Sequence, residues 1–244
     1  MKQVVLAWMA SMVFLGTAVA APPAPEPLKI TLPYEGPVAV AVLDARPDVV
    51  NGERKETFIG FTRSLYGIPY PAHTRTKKPF AQDLDNLVTR SLKLGGSQVQ
   101  SVVVSPFKKR EGAIEALQAS GAERLILLEI RDWWSDTLVR TDLHYDLALT
   151  VLNPQGQDLG STTIVGHDEL GKRQRPERRD VSTATNDIIA TLLQANPVTA
   201  AFSPDASPVG SATASSKCTV DQILKMKDAG LAQEQIEAAC GSGS

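Results

Sequence analysis

The 244 residues include 25 Lys and Arg against 27 Asp and Glu, giving a formal net charge of -2, and 43% of the residues are hydrophobic. This near-neutral balance argues against a dedicated nucleic-acid-binding protein, which usually has a strong basic excess. The length is enough for one domain with a full hydrophobic core and one small additional module. Because none of the GxSxG, HExxH, Walker or GxGxxG motifs is present in the sequence, we expect a non-enzymatic protein without a cofactor.

Residues 1–20 predict a cleaved signal peptide. A lysine precedes an apolar run from Val4 to Leu15, and the segment ends in Ala18-Val19-Ala20, the small-x-small pattern that signal peptidase cuts. The apolar run is too short for a comfortable membrane span. We therefore expect a periplasmic mature chain that begins near Ala21 without a transmembrane segment; an uncleaved anchor is the alternative. A proline-rich segment, 21–36, follows.

Hydrophobic periodicity predicts an α/β (α+β) domain over residues 37–196. Near-continuous apolar runs predict buried strands, apolar residues at helical spacing predict helices, and strict alternation predicts a half-exposed strand. The expected mixed sheet has the element order β-α-β-α-β-β-β-α. In chain order the elements are a strand at Val38–Arg46, a helix at 78–95, a strand at Gln98–Ser105, a helix at 110–121, a strand at Arg124–Ile130, a strand at Leu143–Val151, its hairpin partner at 158–170 after the turn Asn153–Gly156, and a helix at 178–195.

The connection from Pro47 to Lys78 is unusually long and contains "ETFIGFTRSLYG", which predicts a strand or hairpin. Connections of this length in compact domains often carry function. Its aromatic residues form a candidate surface for binding a partner protein: Phe58, Phe61, Tyr66 and Tyr70.

Residues 197–216 are rich in Ser, Ala and Pro and predict a flexible linker. Residues 217–240 predict a helical hairpin, and residues 241–244 a short tail. Cys218 and Cys240 are the only cysteines, and in an oxidising compartment such a pair is typical of a structural disulfide. A loop of this size contributes about 3 kcal/mol in the chain-entropy model, which a module with so small a core requires.

The stretch "RDWWSD" after the third predicted strand has two competing interpretations. In the structural one it is a turn: the acidic side chains accept hydrogen bonds from turn amides, one tryptophan closes the core and the other is half exposed. In the rival one, Asp132, Trp133, Trp134 and Asp136 form a glycan- or small-ligand-binding site, with or without hydrolysis. Strand parity places Glu129 on the face opposite Asp132, which disfavours a carboxylate pair.

Asp142, His144 and His167 are residue types that bind metals. A turn that pairs Leu152 with Gln157 places the three side chains on one face of the hairpin. A shift of one residue moves His167 to the other face. The sequence does not fix this register, so the three residues are only a weak candidate metal site.

A basic run precedes the last predicted helix. It suits an anionic envelope component such as lipid head groups or an acidic protein face, although solvated loop charge is the commoner explanation. Its members are Lys172, Arg173, Arg175, Arg178 and Arg179.

The element order, the opening "VAVAVLDARPD…IGF…KPFAQDLDNLVTRSLKLGG" and the later "GAERLILLEI" resemble bacterial envelope α/β domains. The resemblance is to YajG-type lipoproteins and, more remotely, to the amino-terminal domain of TolB and the curli-secretion lipoprotein. It covers Val38 to Ala195 and departs from those families in lacking a lipobox cysteine. The segment 217–240 is similar to helical hairpins appended to other envelope proteins. These resemblances imply assembly, trafficking or partner-binding roles, and hence an envelope protein partner.

Overall fold

A computed structural model describes residues 27–171 and 180–209. The predicted signal peptide (1–20), basic run (172–179) and disulfide-linked hairpin (217–240) lie outside these ranges. The strands are β1 (Val38–Asp44), β2 (Phe58–Arg63), β3 (Pro69–His73), β4 (Val99–Ser101), β5 (Arg124–Thr137), β6 (Thr141–Leu152) and β7 (Asp158–Leu170); the helices are α1 (Pro47–Val50), α2 (Phe80–Leu94), α3 (Arg110–Gln118), α4 (Val181–Gln194) and α5 (Asn196–Ala200).

The described part of the chain is a mixed α/β fold, as predicted, and the eight expected elements occur in the expected order. The long connection adds the antiparallel hairpin β2–β3 and the short helix α1. Helices α2, α4 and α5 pack on one face of the sheet over the larger hydrophobic core, and α3 covers a smaller cluster on the other face.

Strand β5 is the axis of the sheet. Strand β6 pairs with it antiparallel along its whole length, and β7 lies beyond β6. On the other side, the first half of β5 pairs in parallel with β1, and its last residues pair in parallel with β2. The sheet therefore divides along this side of β5 into two branches, β1–β4 and β2–β3.

The predicted turn at "RDWWSD" is wrong, because β5 continues through both tryptophans to Thr137. Its apolar run ends at Ile130 only because the strand ceases to be buried on both faces there. The β5–β6 register shifts by one residue between Ile130 and Asp132, which marks a bulge at Arg131. A bulge reverses the side-chain alternation that follows it. Glu129 and Asp132 therefore share a face, contrary to the parity argument.

The structured domain also extends beyond the predicted limits 37–196. Ile30 and Leu32, from the proline-rich segment, are buried in the larger core. At the other end, residues expected to belong to a flexible linker form α5, and Val198 and Phe202 are buried in the same core. Isolated large apolar residues among Pro, Ser and Ala give no periodic signal, so the sequence pattern did not reveal that they pack.

A close approach of two backbones fixes the branch β2–β3 to β5. Gly60 has φ 141°, a conformation that side-chain-bearing residues rarely adopt. A Cβ at this position would overlap the backbone of Ser135. Only glycine allows β2 to pair with β5 at this point.

A buried ion pair fills the space where the two branches diverge. Asp44 and Arg46 are only 2% and 1% exposed. The guanidinium donates from Nε to Oδ1 at 2.8 Å and from Nη2 to Oδ2 at 2.7 Å. Its Nη1 donates to the carbonyls of Phe58 (2.7 Å) and Trp133 (3.3 Å), and the group lies over the ring of Phe80, 5.5 Å from its centroid. One side chain thereby links β1, β2, β5 and α2.

We expect Arg46→Ala to lower the free energy of unfolding by about 3–5 kcal/mol, because it leaves a buried carboxylate without its counter-ion and two buried carbonyls without the guanidinium donor. Urea denaturation followed by circular dichroism measures the loss. The double variant Asp44→Asn/Arg46→Met, which buries no charge, should be less destabilised than Arg46→Ala. An equal or larger loss in the double variant would show that the ion pair itself is not the cause.

Asp85, on α2, is a second buried carboxylate. Its Oδ2 accepts a hydrogen bond from Ser101 Oγ at 2.5 Å, and its Oδ1 has no hydrogen-bond partner among the described residues. Burial, opposed by that hydrogen bond and by Lys93, raises the pKa of Asp85 to about 6 from an ordinary 3.8.

The pKa of Asp85 is higher in the folded than in the unfolded state. Between pH 3.8 and about 6, Asp85 therefore binds its proton more tightly in the folded protein. Stability should therefore fall as the pH rises from about 4 to about 6. Asp85→Asn removes this contribution, so the difference in unfolding free energy between the variant and the wild type should increase across that window. Denaturant titrations at several pH values measure it, and a difference independent of pH would contradict the assignment.

Candidate functional site

The turn of the hairpin β2–β3 exposes a cluster of large apolar side chains. Leu65 is 99% and Tyr66 92% exposed, and Ile68 and Tyr70 are each more than half exposed. We call these four residues the hairpin tip. Soluble proteins rarely expose contiguous apolar groups without a binding role. The tip is therefore the strongest candidate for a functional surface in the described part of the chain.

The four aromatic residues predicted as a contact surface divide into two pairs. Tyr66 and Tyr70 lie on the tip, whereas Phe58 is buried and Phe61 half buried at the base of the hairpin. The two phenyl rings meet edge to face, with centroids 5.2 Å apart. The Arg54 guanidinium lies over both rings, 4.8 and 5.1 Å from their centroids. Phe58 and Phe61 therefore stabilise the base of the hairpin and are not part of its exposed contact surface.

The tip is attached to the sheet by a bidentate ion pair. Arg63 Nε donates to both carboxylate oxygens of Asp136, at 2.7 and 2.9 Å, and Nη2 donates to Oδ2 at 2.5 Å. Nη1 also donates to the carbonyl of Gly67 in the turn, at 3.1 Å. The hydrogen bonds to Asp136 raise the pKa of Arg63 above its already high ordinary value. Asp136 is therefore a structural acceptor, and the turn is held to the strand that carries it.

Two prolines close the free edge of the hairpin. Ser64 N donates to Ile68 O, so hydrogen-bonded pairs alternate along β2–β3 from this point. By that alternation the backbone nitrogens of Pro69 and Pro71 are directed away from β2. Proline has no N–H to donate. A foreign strand therefore cannot extend the sheet at β3, and a partner of the tip has to be recognised through side chains.

The two tryptophans have different surroundings. Trp133 is 2% exposed, and its ring centroid lies 5.1 Å from that of Phe80 and 6.4 Å from that of Tyr145. It closes the end of the larger core, as the structural interpretation predicts for one of the pair. Trp134 is half buried on the opposite face of the sheet. Trp133 is therefore not available to a ligand at the surface.

A stack of three rings crosses strands β5, β6 and β7 on that opposite face. Trp134 stacks on His144 with centroids 4.0 Å apart and an interplanar angle of 5°. His144 in turn stacks on His167 at 4.2 Å and 16°. Because His144 covers one face of the indole, Trp134 does not offer that face to a sugar ring.

The carboxylates around Trp134 are poorly placed for hydrolysis. Asp132 and Asp136 share its face but are four residues apart, which corresponds to about 13 Å along a strand. Glycosidases hold their two carboxylates no more than about 9.5 Å apart. Asp136 is also engaged by Arg63. This geometry disfavours the ligand-binding and hydrolytic interpretation of "RDWWSD".

Asp142, His144 and His167 do lie on one face of the hairpin, although the strand register differs from the one that pairs Leu152 with Gln157. The turn after β6 shifts the register, since Asn153 N donates to Gln157 O. A bulge at Leu159 then adds a second shift and restores the face, so that His144 pairs directly with His167. The stacked imidazoles cannot direct their ring nitrogens at one ion, because those lone pairs lie in parallel planes. Within residues 27–171 and 180–209, no group of three His, Cys, Asp or Glu side chains is arranged to hold a metal.

Sequence reasoning missed Leu65 and Ile68, the two aliphatic members of the tip. Both belong to "SLYGIPY", where apolar residues flank a glycine with φ 80°. Apolar residues at the turn of a hairpin cannot reach the core, and this signal could have identified them. The basic residues 172–179 and Cys218 and Cys240 lie outside the described residues, so these predictions stay predictions.

Comparison with known proteins gives only remote similarities. No protein-family model and no curated protein matches the chain. Among solved structures, XCC0632 of Xanthomonas campestris has a TM-score of 0.41 at 12% identity over 72% of this chain and 90% of that one. PelC of Paraburkholderia phytofirmans, a dodecamer, scores 0.39 at 13% identity over 74% and 94%. The lipoprotein GNA1162 of Neisseria meningitidis scores 0.31 at 9% identity over 65% and 95%.

Remote similarity to structures that include a lipoprotein is thus found, and the resemblance to YajG-type lipoproteins and TolB stays a prediction. Among the described helices, none has the length and hydrophobicity needed to cross a membrane. The candidate site at the hairpin tip therefore rests on the geometry of this chain alone.

The two tryptophans should respond differently to truncation. Trp133→Ala empties a core position and should cost about 3–5 kcal/mol of unfolding free energy. Trp134→Ala removes a half-buried ring and one stacking contact, and should cost about 1–2 kcal/mol. Urea denaturation of both variants measures the two losses. A larger loss for Trp134→Ala would contradict the assignment of Trp133 as the closing residue of the core.

Proposed function

We propose that this protein is an exported, non-enzymatic accessory or adaptor protein of the cell envelope that binds another protein through its hairpin tip. The observation that carries the proposal is the near-complete exposure of Leu65 and Tyr66, with Ile68 and Tyr70 beside them. The predicted signal peptide supports export to the periplasm. The separation of Asp132 and Asp136 along β5 supports a binding role over the hydrolytic alternative.

The chemistry of the tip suits a protein interface. Burying apolar surface yields roughly 25 cal/mol per Å², and tyrosine is among the residues that most often dominate binding energy. Arg63 holds the turn through Asp136 and Gly67. A turn fixed before binding loses less conformational entropy when it is bound.

The surroundings of the tip indicate the character of the partner. Strand addition at β3 is excluded by Pro69 and Pro71, so the side chains of the tip are expected to enter an apolar groove. The segments flanking the hairpin carry exposed cations that outnumber exposed acids. These cations lie beside the base of the hairpin, at the end away from the tip, so a partner that reaches from the tip to the base would complement them with acidic side chains. The cations are Arg54, Lys55, Arg75, Lys77 and Lys78.

The predicted hairpin at 217–240 supplies a second contact in this proposal. A module tethered to the domain binds its site at a raised effective concentration once the first contact has formed. The basic run 172–179 is a further candidate contact, for an anionic envelope component. The alternative function, glycan or small-ligand binding at Asp132-Trp133-Trp134-Asp136, is disfavoured by the burial of Trp133 and the covered face of Trp134.

We expect a photo-crosslinking phenylalanine analogue at position 66 to give a discrete adduct with an envelope protein in living cells. The same analogue at Phe107, which is 68% exposed on another loop, should give none. Leu65→Ser combined with Ile68→Ser should abolish the adduct at position 66 and leave the melting temperature unchanged, because exposed side chains contribute little to folding. Gel shift and mass spectrometry identify the adduct.

The matched control Val103→Ser/Phe107→Ser, which removes apolar surface elsewhere, should leave that adduct intact. Deletion of residues 217–240 should weaken the adduct if the tethered module is a second contact, and an undiminished adduct would contradict that role. Adducts with lipid in place of protein, or equal adducts at positions 66 and 107, would contradict the proposed function itself.

A further inference from the structure

Beyond Asp158, whose carbonyl accepts a hydrogen bond from Val209 N at 2.6 Å, strand β7 has a long edge with which no other described segment pairs. Hydrogen-bonded pairs alternate along β6–β7, and the bond from Asn153 N to Gln157 O, followed by the bulge at Leu159, fixes which residues face β6. Between the β7 residues that bond to β6 lie five residues whose backbone N–H and C=O groups point away from β6. All five are exposed. No backbone–backbone hydrogen bond to another described element involves them. They are Ser161, Thr163, Val165, His167 and Glu169.

The other two edges of the sheet are protected, whereas this one is not. The β3 edge is closed by its prolines, and β4 has only three residues. Natural proteins blunt edge strands with proline, lysine or shortness, because unpaired backbone groups attract a further strand. Strand β7 is 13 residues long, contains no Pro, Lys or Arg, and exposes 70% of Val165 at the middle of its free stretch.

We infer that the free edge of β7 pairs with the same edge of a second copy of this chain, in antiparallel orientation about a twofold axis at Val165. The resulting sheet continues through both copies. This interface is separate from the hairpin tip, and the inference does not depend on the proposed function.

Complementarity of the strand with itself favours a second copy as the occupant. In this register Val165 faces the partner's Val165, and Thr163 faces the partner's His167. Ser161 faces the partner's Glu169, so no like charges are directly opposed. A parallel arrangement in register would instead place Glu169 beside the partner's Glu169, which is destabilising. The antiparallel register also buries the most exposed apolar residue of the strand against its own copy.

Analytical ultracentrifugation of the purified protein over a range of concentrations tests the inference. We expect a reversible dimer with twice the monomer mass. Val165→Pro removes an outward N–H at the centre of the interface, which no hydrogen bond among the described residues uses, and should give a monomer. Val165→Thr keeps both the N–H and the branched shape and should remain a dimer. A wild-type monomer throughout, or a dimer unaffected by Val165→Pro, would overturn the inference.

Hydrogen exchange of the wild-type protein decides the matter even if the proline variant does not fold. The amides of Thr163, Val165 and His167 should exchange slowly in concentrated solution and fast after dilution, because the second copy protects them and no described residue of the same chain does. The amide of Ile164, which faces β6, should be protected at both concentrations. Fast exchange of the three outward amides at all concentrations would refute pairing through this edge.

Discussion

The buried Arg46–Asp44 pair holds together a sheet that would otherwise come apart at its centre. The first half of β5 pairs with β1 and its last residues pair with β2. Between these two stretches, no described strand forms backbone hydrogen bonds with this side of β5. A buried carbonyl without a donor costs as much as a lost hydrogen bond. The Arg46 guanidinium donates hydrogen bonds to the carbonyls of Phe58 and Trp133. The carboxylate of Asp44 neutralises the charge of this guanidinium. Such a pair is more convincing as a device that specifies one arrangement than as a net source of stability.

The surface on which binding is proposed depends on the same arrangement. The branch β2–β3 carries no large core of its own, and a two-stranded hairpin alone is marginal in water. It is fixed at its base by Arg46 and by the Phe58–Phe61–Arg54 cluster, and along its length by Arg63 and Asp136. Each of these contacts is polar or aromatic and local. The exposed apolar residues of the tip are thereby presented on a rigid support, although none of them contributes to it.

The order of the elements could be predicted, because the spacing of apolar residues differs between buried strands and amphipathic helices. Features that depend on a single inserted residue could not be predicted in this way. The bulge at Arg131 brings Glu129 and Asp132 to one face. The histidines share a face only because two register shifts, at the turn and at Leu159, cancel. At the candidate site, Tyr66 and Tyr70 were found by their chemistry, while Leu65 and Ile68 were not, because an apolar residue normally signals burial.

The glycine at position 60 separates what can change in this molecule from what cannot. Because the backbones of β2 and β5 touch there, the point of attachment tolerates no side chain. A few residues further along, the side chains of Leu65 and Tyr66 are almost fully exposed. Substitutions in the turn between Ser64 and Ile68 can therefore change the binding surface while the attachment to β5 stays as it is. The attachment of the hairpin to β5 thus depends on one position, whereas the surface that the hairpin presents depends on others.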